Sequence, residues 1–361
     1  MSATGTTLNV SDLIDSRKLS GLQILTLILC AMVTFIDGMD TQSIGIVARP
    51  LADQLGFGMA SFGVVASAGL VGAAIGALTF GRLGDRFGRK IILIGAALLF
   101  GCFTIATAWA PDYGTLLLLR VLAGIGLGGA MPNVVALNSE YAPKRIRAFM
   151  VLLQWSSFPG GGFIGGIIAR YLLQHYTWQF VFYFGGGLAL FIALCLLLFL
   201  PESLKFLISR NASQERISGI VNKIAPNAST STTRFTLAEE TVAQTSIGAL
   251  FAEGRTIITL SLWATFAIAF AILLFTPNWT GPLLGGEGGL AGPDVALIVT
   301  VHNLGSMLGG IVAGWLMDRF NPYRVLAPAL LCGMIFTSMT GYAAMSDFTL
   351  FQVIVAIAGF F

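Results

Sequence analysis

An all-α membrane protein built from two similar helical bundles is the fold class this sequence predicts, on three observations. Hydrophobic residues make up 56% of the 361 residues and charged ones 10%, against about 25% charged in soluble domains, and the mean hydropathy is +0.84. The apolar residues are gathered into long runs, and spanning helices need about 20 such residues each. Finally, a short charged turn, Gly81-Arg82-Leu83-Gly84-Asp85-Arg86-Phe87-Gly88-Arg89-Lys90, lies between two of these runs. A degenerate copy, Gly314-Trp315-Leu316-Met317-Asp318-Arg319-Phe320-Asn321-Pro322-Tyr323-Arg324, lies between two more. One such turn per half is the mark of a parallel-repeat membrane architecture.

In order along the chain, the runs predict helices near 22–47, 60–80, 91–110, 115–138, 148–173, 178–200, 257–279, 294–317, 325–345 and 349–361. The tenth is apolar from Phe348 to Phe361 without a charged anchor, so the expectation is a partial sequence truncated within its tenth helix. The basic residues set the orientation. With the N-terminus in the cytoplasm, all 20 Lys and Arg except Arg49, Arg120 and Arg170 fall in inner segments. Residues 1–20 lack a short apolar core with a small-residue cleavage site, so they do not resemble a removed signal peptide. They read as a cytoplasmic tail, followed by a six-helix bundle over 21–200, a cytoplasmic central loop over 201–256 and an incomplete bundle over 257–361, about four of six helices. The central loop opens with Pro201-Glu202-Ser203-Leu204-Lys205, passes through the Ser/Thr-rich 228–233 and ends in a segment, 237–251, with helix-like apolar spacing. A flexible centre flanked by surface helices is expected there.

Several function classes are excluded at this level. Cys30, Cys102, Cys195 and Cys332 all fall inside apolar runs without metal-ligand spacing, so no metal and no disulfide are expected. Gly124-Ile125-Gly126-Leu127-Gly128-Gly129 lies within an apolar helix rather than after a strand, which argues against a phosphate loop and for close helix packing. Gly160-Gly161-Gly162, with Gly165 and Gly166, reads in the same way. No nucleophile–base pair is seen, so an enzyme is not expected, and neither is a cofactor other than a proton as coupling ion. No nucleic-acid partner is expected; the partners are the lipid bilayer and a small molecule, and the default state is a monomer.

An ionisable side chain inside the bilayer costs at least about 2.5–3.5 kcal/mol on insertion scales, so each one needs a reason. Asp37 and Asp40, three residues apart, share a face of the first helix, and Arg120 lies at similar depth in the fourth. Protonating a carboxylate paired with Arg120 would release the guanidinium to hold an anion, which is a proton-coupling device. The alternative is a permanent ion pair that only fixes packing. Glu140, at the inner end of the fourth helix and followed by Pro143-Lys144-Arg145-Ile146-Arg147, reads either as part of an inner gate holding the cytoplasmic ends together or as a solvated helix end beside a basic loop. In the decapeptide, Asp85 can pair with Arg89 or with a neighbouring helix, while Gly81 and Gly88 allow the turn to pack closely; Asp318 and Arg319 are their counterparts in the second copy. Candidate cavity-lining residues are Gln154 and Trp155 in the fifth helix, Asn278 and Trp279 in the seventh, and His302 and Asn303 in the eighth.

These residues match a known family. The decapeptide and its later copy resemble the signature loop of the major facilitator superfamily. Arg120 with the glycine string 124–129 and Glu140 resembles the fourth-helix pattern of its sugar and organic-anion porters, and Pro201-Glu202-Ser203 resembles the end of their sixth helix. More narrowly, Asp37-Gly38-Met39-Asp40-Thr41 is similar to the Asp-Gly-x-Asp element of the bacterial aromatic acid/proton symporters, as are Asn278-Trp279 and the Leu250-Phe251 approach to the seventh helix. The resemblance implies the major facilitator fold of two six-helix bundles, alternating access in the bacterial inner membrane, and uptake of a benzoate-, hydroxybenzoate- or protocatechuate-type carboxylate with protons. Carried over by position, it gives Asp37 and Asp40 the proton coupling, Arg120 the carboxylate or the proton switch, and Gly81, Asp85, Arg86 and Arg89 the gate. The chain departs from the pattern at Asn321-Pro322, where a Gly-Arg pair is usual. A sugar or drug porter of the same superfamily and a membrane sensor of aromatic acids are the alternative functions.

Overall fold

The computed structural model of the protein describes residues 7–58, 61–226, 228, 233–236, 247–252, 254–282, 292–343 and 348–361. The chain opens with a three-residue strand β1 (Thr7–Asn9) and a short helix α1 (Val10–Ser16), whose first turn is capped by the Asn9 side chain accepting from the Ser11 amide. A capping box starts α2 (Gly21–Ile46): Gln23 N–H donates to Ser20 Oγ while Ser20 N–H donates to Gln23 Oε1. After α3 (Ala48–Leu55) come α4 (Phe62–Phe87) and α5 (Arg89–Thr107), joined only by Gly88. The φ of Gly88 is +104°, a conformation that L side chains rarely adopt. Asp112 then caps α6 (Tyr113–Tyr141), accepting at 2.9 Å from the Thr115 amide, and these bonds hold its carboxyl below the usual range. The first half continues with α7 (Arg147–His175) and α8 (Gln179–Phe199). After α9 (Leu204–Ser209), α10 (Gln214–Ile224) and strand β2 (Arg234–Thr236), the second half holds α11 (Thr256–Pro282), α12 (Gly292–Arg319), α13 (Pro322–Ala343) and α14 (Phe348–Phe360).

Each of the ten apolar runs is a helix. Among the described residues, seven helices are long and apolar enough to cross a membrane, and α11 and α14 contribute shorter apolar stretches. The helices pack through small residues. Gly72 and Gly76 of α4 lie against the backbone of Val121 and Ile125 in α6, while Gly124 and Gly128 of α6 lie against Gly69 and Ala73 of α4, leaving no room for a Cβ at any of the four. In the same way Gly38 of α2 meets Phe158 of α7, and Gly161 of α7 meets Phe35 of α2. Helix α7 therefore sits against α2 on one side and, through Gly160 beside Met307, against α12 on the other, which makes it the seam between the halves.

Two features at the end of the bundle that carries the N-terminus depart from expectation. The tail is part of the fold: β1 pairs in parallel with β2, Thr7 opposite Arg234, and Val10 and Ile14 are buried with Leu204, Leu207, Ile217 and Val221 of α9 and α10. A surface helix over 237–251 was expected; residues 237–246 lie outside the described residues, and Ile247–Leu250 forms a single 3-10 turn. The small helix α3, which breaks the outer connection, was not foreseen. Its end at Gly56 is left-handed, with φ +68°.

The tail is fastened by Asp15. Its carboxylate accepts from the Lys144 amide at 2.7 Å and pairs with the Lys144 ammonium at 3.3 Å, while Arg145 donates to the Asp15 and Arg17 carbonyls. Burial raises the Asp15 pKa, but the Lys144 bonds and the charges of Lys144 and Arg147 outweigh it and hold the carboxyl below its ordinary value. A depressed carboxylate stabilises the fold above its unfolded pKa, near 3.9, and that contribution disappears as pH falls through the folded value. Amide exchange across residues 11–16 should therefore rise in Asp15→Ala at neutral pH, and in the unmodified protein only below about pH 4. A second expectation follows from α7: Gly161→Ala should lower stability by about 1–3 kcal/mol, whereas Gly187→Ala, with open space around it, should stay within about 0.5 kcal/mol in the same detergent melting assay.

Candidate functional site

Three ionisable side chains meet in the outer half of the first bundle, as orientation is read from the basic residues. Arg120 of α6 is buried, and its Nη1 approaches both carboxylate oxygens of Asp40 on α2, at 3.4 and 3.5 Å. Its Nη2 donates to Thr107 Oγ1 at the end of α5, at 3.2 Å, and its guanidinium lies 5.0 Å from the ring centre of Phe182 on α8. Four helices thus converge on one guanidinium. Asp37, one turn before Asp40, makes no ion pair among the described residues; the Thr41 hydroxyl approaches it at 3.5 Å. The acid that meets Arg120 is therefore Asp40, and Arg120 faces the interior of the first bundle rather than the seam. The expectation that Arg120 holds a carboxylate or serves as the proton switch meets an Arg120 paired with Asp40 in this structure. Neither Thr107 nor Phe182 was singled out in the sequence.

At the opposite end, Arg89 at the start of α5 lies 3.3 Å from Asp85 of α4 and 3.0 Å from Glu140 of α6, and Ser203 donates to Glu140. Glu202 is buried beside them. One of its oxygens accepts from the Lys90 and Ser203 amides, which supplies α5 with an N-terminal acceptor that its own cap residue, Gly88, lacks. Tyr141 donates to the Glu202 carbonyl at 2.7 Å. All these groups belong to the first bundle and its following segment, and the ion pair of Glu140 is made there, with Arg89. Beneath α1, Arg89 and Glu140 border a cavity of about 210 Å³ that also meets Ser139 and Arg147. Arg147 donates to the Ala142 carbonyl at 3.5 Å, and its Nε is buried without a partner. Gly81 is in ordinary contact with Pro132, and Arg86 is exposed over the Phe87 ring.

The tie between halves comes from the second copy of the turn. Asp318, at the end of α12, accepts from the Ala148 and Phe149 amides at 3.1 and 2.8 Å. These are the first amides of α7, whose own cap residue Ile146 offers no side-chain acceptor. A carboxylate from one half thereby caps a helix of the other, at the positive end of its dipole. Arg319 stacks over Trp315 at 4.0 Å.

The remaining candidates separate. Gln154 is fully buried and engaged, donating to Thr34 at 2.9 Å and accepting from Asn138 at 3.5 Å, so it packs the first bundle rather than offering itself to a ligand. Trp155 is half-buried on α7. His302 turns to α14, bonded to the Val355 backbone and beside Gly359. Asn303, its neighbour, is buried at the seam beside Gly162 and Gln42. Asn278 and Trp279 lie on α11, and their side chains are outside the described structure.

Residues 30–361 match the family model for the Major Facilitator Superfamily. This chain is a member of that superfamily. It is therefore a multi-pass membrane transporter and not an enzyme. The superfamily fold is visible against the xylose transporter XylE from E. coli in a partially occluded inward open conformation, with a TM-score of 0.73 at 20% identity over 94% of this chain and 82% of that one. Among curated relatives, the 4-hydroxybenzoate transporter PcaK of Pseudomonas putida is 36% identical over 99% of this chain and 80% of its own length. The gallate transporter of Pseudomonas putida is 38% identical, over 98% and 78%. The benzoate transport protein of Acinetobacter baylyi is 29% identical, over 98% and 76%.

For this superfamily member the Asp318 cap predicts a measurable change. Asp318→Ala removes a cap bond of about 1 kcal/mol, so maleimide labelling of a cysteine placed at Phe149 should speed up about fivefold, while the same change at the exposed Asp85 should leave that labelling unaltered.

Proposed function

We propose that this protein imports an aromatic carboxylate of the benzoate, hydroxybenzoate or protocatechuate type together with a proton, across the bacterial inner membrane and with its N-terminus in the cytoplasm. The observation that carries this reading is the Asp37–Asp40–Arg120 cluster: two acids and one base within a span, with the base committed to Asp40. The names of the relatives, 4-hydroxybenzoate, gallate and benzoate transporters, support the substrate class.

The charge balance gives the mechanism. Arg120 and Asp40 neutralise each other, held in place by Thr107 and Phe182. Asp37 is left as the carboxyl without a cationic counterpart, and a charge at that depth is costly. Protonating it makes the site neutral. One proton entering with one carboxylate gives a loaded protein with no added net charge, so the loaded step is not opposed by moving an extra charge through the bilayer. Release inside would follow separation of Asp318 from the start of α7, which opens the seam at the basic end. The arrangement of the basic residues supports the inward-facing N-terminus.

The test is accumulation of radiolabelled 4-hydroxybenzoate and protocatechuate by cells making the full chain, with and without a protonophore. Accumulation should vanish with the protonophore. In Asp37→Asn it should drop by at least about tenfold with membrane insertion retained, the size expected when an essential proton-transfer group is lost; undiminished accumulation by that variant would overturn the coupling role.

A further inference from the structure

With Arg120 turned into the first bundle, a carboxylate arriving at the seam between the halves needs other donors, and the seam offers a pair. Asn303 of α12 is 6% exposed, and its Nδ2 has no hydrogen-bond partner among the described residues. Gln42 of α2 is 8% exposed, and its amide makes no bond among the described residues. The two approach each other over Gly162 of α7. A methyl group built on Gly162 would lie 3.2 Å from Asn303 Nδ2, 3.3 Å from Gln42 Nε2 and 2.8 Å from Gln42 Cγ. Both amides therefore pack closely against Gly162, side by side, where helices from both halves meet.

Leaving a buried amide donor such as Asn303 Nδ2 unsatisfied is unfavourable, and a second amide beside it, Gln42, also makes no bond among the described residues. An amide NH2 carries two donor hydrogens, so one bond each still leaves capacity to hold an oxygen. Bonds from neutral N–H groups to an ionised acceptor are the stronger kind, and they hold an anion without adding a buried cation. Donors contributed by both halves also couple occupancy of the site to the seam itself.

We infer that Gln42 and Asn303 hold the substrate carboxylate over Gly162, Gln42 from the first half and Asn303 from the second. This rests on the proposed aromatic-carboxylate transport and assigns its anion site.

The experiment measures concentration-dependent uptake of 4-hydroxybenzoate and protocatechuate by the full chain and by Asn303→Leu, Asn303→Asp, Gln42→Leu and Gly162→Ala, each normalised to the amount in the membrane. Asn303→Leu and Gln42→Leu should each raise the half-saturating concentration about tenfold or more, as expected for a lost bond to a charged group, with maximal rate changed less. Asn303→Asp keeps the shape but sets a negative charge against the anion, and should abolish uptake at neutral pH. Gly162→Ala should weaken uptake by pushing the Gln42 and Asn303 side chains aside. Half-saturation within twofold of the parent in both leucine variants, or full uptake by Asn303→Asp, would overturn the assignment even with the transport reading intact. No uptake of either acid by the well-inserted parent protein would instead overturn the transport reading, and this assignment with it.

Discussion

A charge or an open backbone amide inside a bilayer has no water to turn to, and this constraint decides where nearly every polar side chain in the protein sits. Arg120 is the deepest case. Asp40, Thr107 and the Phe182 ring come from three other helices, so the guanidinium fixes the mutual depth and rotation of α2, α5, α6 and α8. Removing one partner of such a buried pair leaves the other uncompensated, which is far more damaging than the pair's net contribution. The same rule operates at the helix ends. Neither Gly88 nor Ile146 caps its own helix by a side chain, and in both places a distant carboxylate fills the gap: Glu202 for α5 and Asp318 for α7.

The small residues supply the second half of this logic. Because a Cβ cannot be placed at Gly72, Gly76, Gly124 or Gly128, α4 and α6 approach backbone to backbone and behave as one unit. Gly38 and Gly161 do the same for α2 and α7. At the seam the contacts are softer: Met307 against Gly160, Ser156 against Gly310, and Leu152 and Phe149 against Gly314. Met307 and Ser156 meet the facing glycines by their side chains, and only at Gly314 does a backbone, that of Phe149, come close. In the proposed alternating access, the seam is thus the surface at which motion meets least resistance.

Much of this was legible in the sequence, and the parts that were not have identifiable causes. The ten helices follow from the apolar runs because length and hydropathy are local properties, and the repeated turn gives the two-fold plan. The choice of acid for Arg120 is not local. Asp37 and Asp40 are equivalent by spacing, and what selects Asp40 is the rotation of α2 set by Gly38 against Phe158 and Gly161 against Phe35. For Glu140 a helix-end position fits both a gate and a solvated end, and its partners Arg89 and Ser203 come from segments that sequence spacing does not connect to it. The cap built from β1, β2, α1, α9 and α10 was missed because three-residue strands carry no periodicity and their pairing joins segments far apart in sequence. The Asp318 tie left a readable trace: the start of α7, Pro143 to Arg147, has no Ser, Thr, Asn or Asp to serve as its own cap.

The two copies of the signature turn have diverged in what their aspartates do, and the difference suits a moving seam. In the first copy Asp85 is exposed and pairs with Arg89 four residues on, inside one bundle. In the second, Asn321 and Pro322 replace the glycine-arginine pair; the Asn321 side chain accepts from the Tyr323 amide at 3.0 Å to start α13, and Asp318 is left to reach α7. A tie that is broken and remade in each cycle must be weak. A strong salt bridge between halves would leave two desolvated charges on opening, whereas Asp318 is half-buried and its partners are backbone amides at a helix end, where water can replace the carboxylate. The cap is worth about 1 kcal/mol, enough to favour the closed seam severalfold and small enough for a bound substrate to reverse it.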